Sequence, residues 1–271
     1  MKKVFAAAAL AAFTTGGAAL AADLPRRAAP PVLAPVPIFT WTGAYFGINA
    51  GYISTDRGQV NTFGVLPANA ANVATGARPG LVRIDSDGFT GGGQIGYNYQ
   101  VDTFVLGVEA DIAYTDLDRT RSLIGTGGAP SVFRSSLDFL GTVRGRVGLA
   151  FDRVLVYGTG GFAYGDVENR VALSGTPANA GAPLAFFGRS GRFDTGYAAG
   201  GGIEYALPTD SFVNFFRSSA VTVKAEGLYY DLGRRTVAVN STGLGVGAFS
   251  SRFETSGYVA RIGLNYKFGT F

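Results

Sequence analysis

Eight stretches of the chain read as extended strands, and in most of them an aromatic and aliphatic face alternates, residue by residue, with a polar one. The last, GYVARIGLNYKF at 257–268, sets Tyr258, Ala260, Ile262, Leu264, Tyr266 and Phe268 against Arg261, Asn265 and Lys267. Wound as a helix these apolar positions would scatter round the axis; extended, they share one side. The same alternation runs through 42–52, 89–99, 104–114, 139–151, 197–206 and 221–232. Residues 154–165 are strand-like too, but both faces are apolar or glycine, which leaves their direction open. Strands of this kind either pack their greasy faces together as a core or turn them to lipid.

The connections favour lipid. Gln100–Thr103 and Asp152–Arg153 are short, whereas the other junctions span roughly 56–87, 123–133, 174–192 and 240–249. Short turns at one end and long loops at the other mark an up-and-down outer-membrane barrel. The connection at 207–219 breaks the rule, being long where a short turn is due. Composition agrees: 41 Gly, 13 Tyr and 21 Phe with 15% charged residues suit a barrel, with its crowded backbones and aromatic girdles, better than a helical domain. The fold expected is all-β: an eight-stranded antiparallel up-and-down transmembrane β-barrel with short periplasmic turns and longer extracellular loops.

With the aromatic face in lipid, Glu109, Asp111, Arg144, Arg146, Glu204, Lys224, Glu226, Arg261 and Lys267 point into the lumen, four acids and five bases. Facing lipid, a midplane Arg or Lys would cost about 2–4 kcal/mol. Inside, adjacent strands bring Glu109 and Asp111 near Arg144 and Arg146. Such a network specifies packing more than it drives folding, because desolvation offsets most of the attraction. Trp41, Tyr266 and Phe268 read as interfacial and terminal aromatics. Phe268 keeps the phase of the lipid-facing series and Phe271 does not, so Phe268 is expected to close the last strand against the first near Trp41, with 269–271 as an overhang.

The N-terminus sets the compartment. Lys2 and Lys3, an apolar run from Val4 to Phe13 and the small residues Ala19 and Ala21 make a secretory signal peptide over 1–21, cut at Ala21-Ala22. Residues 22–39 follow as a Pro-rich periplasmic linker of extended type, and 40–271 form the barrel domain. Without cysteine the fold holds by burial and hydrogen bonding alone. Removal of the leader leaves 21 basic against 19 acidic residues, too small an excess to argue for nucleic acid.

Taken in order, the ADLP start, WTGAYFGINAGY, GGGQIGYNYQ, LDFLGTVRGRVGLAF, VLVYGTGGFAYG, KAEGLYYDLG and VARIGLNYKF resemble the small alphaproteobacterial outer-membrane β-barrel surface proteins, the outer-membrane-protein β-barrel or "porin family" group. The resemblance covers essentially the mature chain. It implies a surface antigen in the outer membrane, embedded in phospholipid and lipopolysaccharide and inserted by the outer-membrane assembly machinery, contributing to envelope integrity or surface contacts. It implies no catalytic residues and no cofactor. The chain departs from the pattern at 207–219 and in the tail after Phe268.

The chain has no His, which removes Ser-His catalysis, histidine-bearing zinc sites and the commonest neutral-pH general base. Glu109 with Asp111, and Glu204 with Glu226, retain acid-base capacity in principle, but a salt-bridged lumen explains them better, and no enzyme is expected. GGGQ (91–94), GTGG (158–161) and AGGGIE (199–204) precede no helical pattern, so close strand packing accounts for them better than phosphate binding. Three roles stand: a structural, surface-exposed barrel; a narrow channel, if inward Gly92, Gly96, Gly107, Gly148, Gly200 and Gly202 leave water-filled gaps; and a secreted soluble ligand-binding barrel, which the aromatic outer face disfavours.

Overall fold

The computed structural model describes residues 39–56, 58–175, 184–208 and 214–269. The leader, its cleavage site, the Pro-rich segment up to residue 38 and the terminal pair 270–271 lie outside the described residues.

The eight alternating stretches lie in β1 (Gly43–Thr55), β4 (Asp87–Val101), β5 (Phe104–Ile124), β6 (Pro130–Phe151), β7 (Val154–Ser174), β8 (Leu184–Ala206), β9 (Ala220–Ser241) and β10 (Ala248–Phe268). They pair antiparallel in the order β1-β4-β5-β6-β7-β8-β9-β10, and β10 pairs back to β1, from Ala44 opposite Phe268 to Thr55 opposite Gly257. That closure removes the sheet edges a membrane would not tolerate. β4–β5 and β6–β7 are joined by the two-residue turns Asp102-Thr103 and Asp152-Arg153. Asp102 and Asp152 both take a φ of 53°, the left-handed conformation that tight hairpins demand and Asp tolerates.

The other end differs from the loops expected there. β5 to β10 run 21–23 residues, about twice the 9–11 that a membrane strand needs. At a tilt near 40° that is roughly 50 Å of height against an apolar band of about 25 Å. Most of the segments read as loops therefore continue the wall: β5 and β6 meet across residues 125–129, and β9 and β10 across 242–247. The junction after β1 carries β2 (Gln59–Gly64), which extends the wall alongside β10, then α1 (Pro67–Ala74) and β3 (Leu81–Arg83). α1 and the turn after it are tied to the far rim. Asn69 Nδ2 donates to the Val246 carbonyl at 3.1 Å, and the buried Arg78 guanidinium donates to the carbonyls of Pro130 and Ser174.

The connection at 207–219 also has a described part. Asn214 closes a turn on Ser218, accepting from its N–H at 2.8 Å and its hydroxyl at 2.9 Å. The turn carries Phe216 onto the outer wall, edge-on to Tyr266 at 4.7 Å.

Candidate functional site in the barrel lumen

Inward positions of the membrane-level wall are polar because the outward ones are spent on lipid. Large residues such as Ile48, Ile95, Val108, Ile112, Val143, Ile203 and Ile262 are exposed on the outer surface. Glu109, Asp111, Arg144, Arg146, Glu204, Lys224, Glu226 and Arg261 are each no more than 6% exposed.

Arg144 on β6 is the hub. Its Nη2 donates to Glu109 Oε1 at 2.7 Å and to Asp111 Oδ2 at 2.9 Å, and its Nη1 donates to Glu226 Oε2 at 3.2 Å. Arg261 on β10 bridges Asp111 and Glu226, each at 2.8 Å, and Lys224 on β9 holds both oxygens of Glu109 at 2.8 and 2.9 Å. Toward the periplasmic side Arg146 donates to Glu204 at 2.8 Å, and Asn265 and Thr222 complete that carboxylate's shell. Four carboxylates thus meet four cations across five strands.

Two tyrosines of the network escaped the sequence reading. Tyr45 donates to Glu109 and Tyr157 to Glu226, both at 2.8 Å, and the Arg146 guanidinium lies 3.8 Å from the centre of the Tyr157 ring. Tyr45 occupies an inward position of β1, so its parity was the available signal; Tyr157 lies on the strand whose direction the sequence leaves open. These rings also fill space that glycine leaves. A Cβ at Gly96 would lie 2.3 Å from the Tyr45 hydroxyl, and one at Gly202 would lie 2.7 Å from that of Tyr157. At Gly107 it would meet the Arg146 side chain at 2.9 Å. Inward glycines here accommodate large neighbours rather than water-filled gaps.

Lys267, inward and buried, sits apart from the eight-charge cluster and donates to the Thr42 carbonyl at the periplasmic end. Trp41 is a correction. It is 1% exposed and packs with Val105, Ala150, Leu155, Tyr157 and Ala206, so it faces no lipid interface. Its Nε1 donates to the Asp152 carbonyl at 3.1 Å and its ring meets Phe39 edge-on at 5.1 Å. Trp41 shares the parity of inward Tyr45 rather than of outward Phe46, which is the physical reason it plugs the periplasmic mouth. Phe268 does lie outside, opposite Ala44 and stacked on Phe46 at 5.5 Å, while Tyr266 is covered by Phe216.

Above the charges the lumen turns apolar. Ile53, Leu117, Leu137, Val167, Leu228, Tyr230 and Val259 form one buried cluster, and Val60, Phe133, Val171, Leu173, Phe186, Val239, Phe249 and Phe253 form another at the outer end. Val73 of α1 packs against the latter. Among the described residues the tube is therefore filled in sequence by an aromatic plug, an ion-pair network and an apolar core.

Comparison with known proteins agrees with this architecture. A family model described as "Outer membrane protein beta-barrel domain" matches residues 5–268. The chain is similar to the 31 kDa outer-membrane immunogenic protein of Brucella melitensis, with 35% identity over 273 residues, covering 99% of this chain and 100% of that one. It is also similar to a 22 kDa outer membrane protein of Rhizobium leguminosarum, with 28% identity over 179 residues, covering 65% of this chain and 66% of the other. Among solved structures, outer membrane protein OprG of Pseudomonas aeruginosa superposes with a TM-score of 0.51 at 15% identity, covering 84% of this chain and 97% of OprG, a likeness of fold alone.

Proposed function

Since the chain belongs to the outer membrane protein β-barrel family and resides in the outer membrane, we propose that it is a closed, non-catalytic structural barrel that carries an extracellular extension at the cell surface. The observation that carries this reading is the Arg144 hub: one guanidinium joins carboxylates from β5 and β9 across the lumen at 2.7–3.2 Å. An eight-stranded barrel has an interior just wide enough for side chains to fill, and here the filling consists of mutually compensated charges that a permeating solute would have to unpair. The same pairing argues against acid-base work by Glu109, Asp111, Glu204 or Glu226, since each already accepts from cations or hydroxyls.

In this reading the partners are the phospholipid and lipopolysaccharide of the outer membrane, and the assembly machinery that inserts the barrel, with the seam at Phe268 as its recognition end. The relative's printed description as immunogenic fits a wall that stands well clear of the bilayer. Planar-bilayer recording of the refolded protein tests closure: it predicts no steady conductance from the native chain, and steady single-channel steps would restore the narrow-pore reading.

A further inference from the structure

Three arginines face outward on directly opposed positions of neighbouring strands: Arg134 of β6 opposite Arg170 of β7, and Arg170 opposite Arg189 of β8. Like charges set directly across a ladder destabilise it, so the row calls for an anion. Two carboxylates, both one row nearer the membrane, supply part of it. Asp118 takes Arg134 through two hydrogen bonds, one of them 2.9 Å from Nε, and Glu168 takes Arg170 and, at 3.1 Å, Arg189. Three guanidiniums thus share two carboxylates, and 39–55% of the side-chain surface of Arg134, Arg170 and Arg189 remains open.

Height narrows the ligand. Below the row Phe139, Tyr164 and Phe193 cluster on the outer wall, with Tyr164 and Phe193 stacked at 5.5 Å, which marks the upper membrane interface. Arg170 lies six residues beyond Tyr164, roughly 15 Å higher at barrel tilt. Asp116, Asp138 and Asp166 occupy the ground between and repel anions held at the acyl boundary, where an ordinary phospholipid carries its phosphate.

We propose that the outer face of β6–β8 binds the phosphorylated sugar headgroup of an outer-leaflet glycolipid, its acyl chains against the aromatic cluster and a phosphate of the saccharide across Arg134, Arg170 and Arg189. The planar guanidinium fork matches phosphate bidentately, and the carboxylates below leave the outward edges of the row free. This rests on the lipopolysaccharide partnership of the proposed function and localises it to three side chains.

The mature chain refolded in micelles is titrated with lipopolysaccharide bearing a phosphorylated core, with phosphatidylglycerol, and with inorganic phosphate, reading the midpoint of heat-modifiable gel mobility. Lipopolysaccharide should raise the midpoint. The triple variant Arg134→Gln, Arg170→Gln, Arg189→Gln should need about ten times more of it, while Arg234→Gln with Arg252→Gln, on β9 and β10, should respond like wild type. In lipid-free micelles the triple variant should refold with a urea midpoint close to that of wild type, because the exposed ion pairs it loses contribute little; failure to refold would show that the row holds the wall itself and would overturn the assignment. So would a triple variant that binds within twofold of wild type, an equal loss in the β9–β10 variant, or an equal response to phosphatidylglycerol or phosphate. Conductance through the barrel would defeat the closed-barrel reading and leave this result standing.

Discussion

Along β7 the outward side chains are Val156, Phe162 and Tyr164 in the lower half and Asp166, Glu168 and Arg170 in the upper. The inward ones change the opposite way, from Tyr157 in the charged network to Val167, Val171 and Leu173 in the apolar core. One continuous strand therefore satisfies two solvents by inverting its polarity at the aromatic girdle. In the lower half, lipid tails are as apolar as the side chains they meet, so outward packing gains little and specificity comes from the polar lumen. In the upper half, water surrounds the wall and the hydrophobic effect drives the inside together, as in a soluble barrel.

The largest effect is expected where the lower half concentrates its compensation. Arg144→Ala leaves Glu109, Asp111 and Glu226 short of a shared donor and should cost about 3–5 kcal/mol, read by urea unfolding in micelles. Phe133→Ala, in the upper core, should cost a similar 3–5 kcal/mol by cavity formation, yet show itself differently. Limited proteolysis should then cut the extracellular extension while the membrane-level barrel stays heat-modifiable. Next comes the lipid face, where Val143→Arg should cost about 2–4 kcal/mol. The smallest effect should follow the same change on the outer face of the upper half: Ala238→Arg, placed in water, should stay within about 0.5 kcal/mol. Equal penalties for the last two would remove the distinction between the halves.

The lower half was legible in the sequence and the upper half was not, for a reason visible in the registers. The stretch read at 139–151 stops where the β6–β7 pairing shifts between Leu137 and Leu140. The stretch at 221–232 stops at Gly233, whose φ is 81°, beside the β9–β10 irregularity at Glu254/Ser256. A bulge adds one residue and flips the parity of everything beyond it: inward residues of β9 are Lys224, Glu226 and Tyr230 below, then Val237 and Val239 above. A pattern search with fixed phase and fixed polarity loses the strand there, and its Gly, Ala, Ser and Thr then resemble loop. β7 keeps its parity but inverts its polarity at Gly165, which hides it as well. Trp41 was misplaced through residue type, since Trp suggests an interface while its odd position points inward. Tyr45 and Tyr157 could not be matched to their carboxylates, because strands distant in sequence bring those partners across the lumen.

The inversion itself can be read with single thiols, since the natural chain has no Cys. Cysteines placed one at a time at outward Ile112, Val143 and Ile262, and at outward Thr236, Ala238 and Asn240, are treated in intact outer membranes with a membrane-impermeant maleimide. The first three should stay protected by lipid and the last three should react. Labelling at Val143, or protection extending to Ala238 and Asn240, would contradict a wall that changes solvent at the girdle of Phe139, Tyr164 and Phe193.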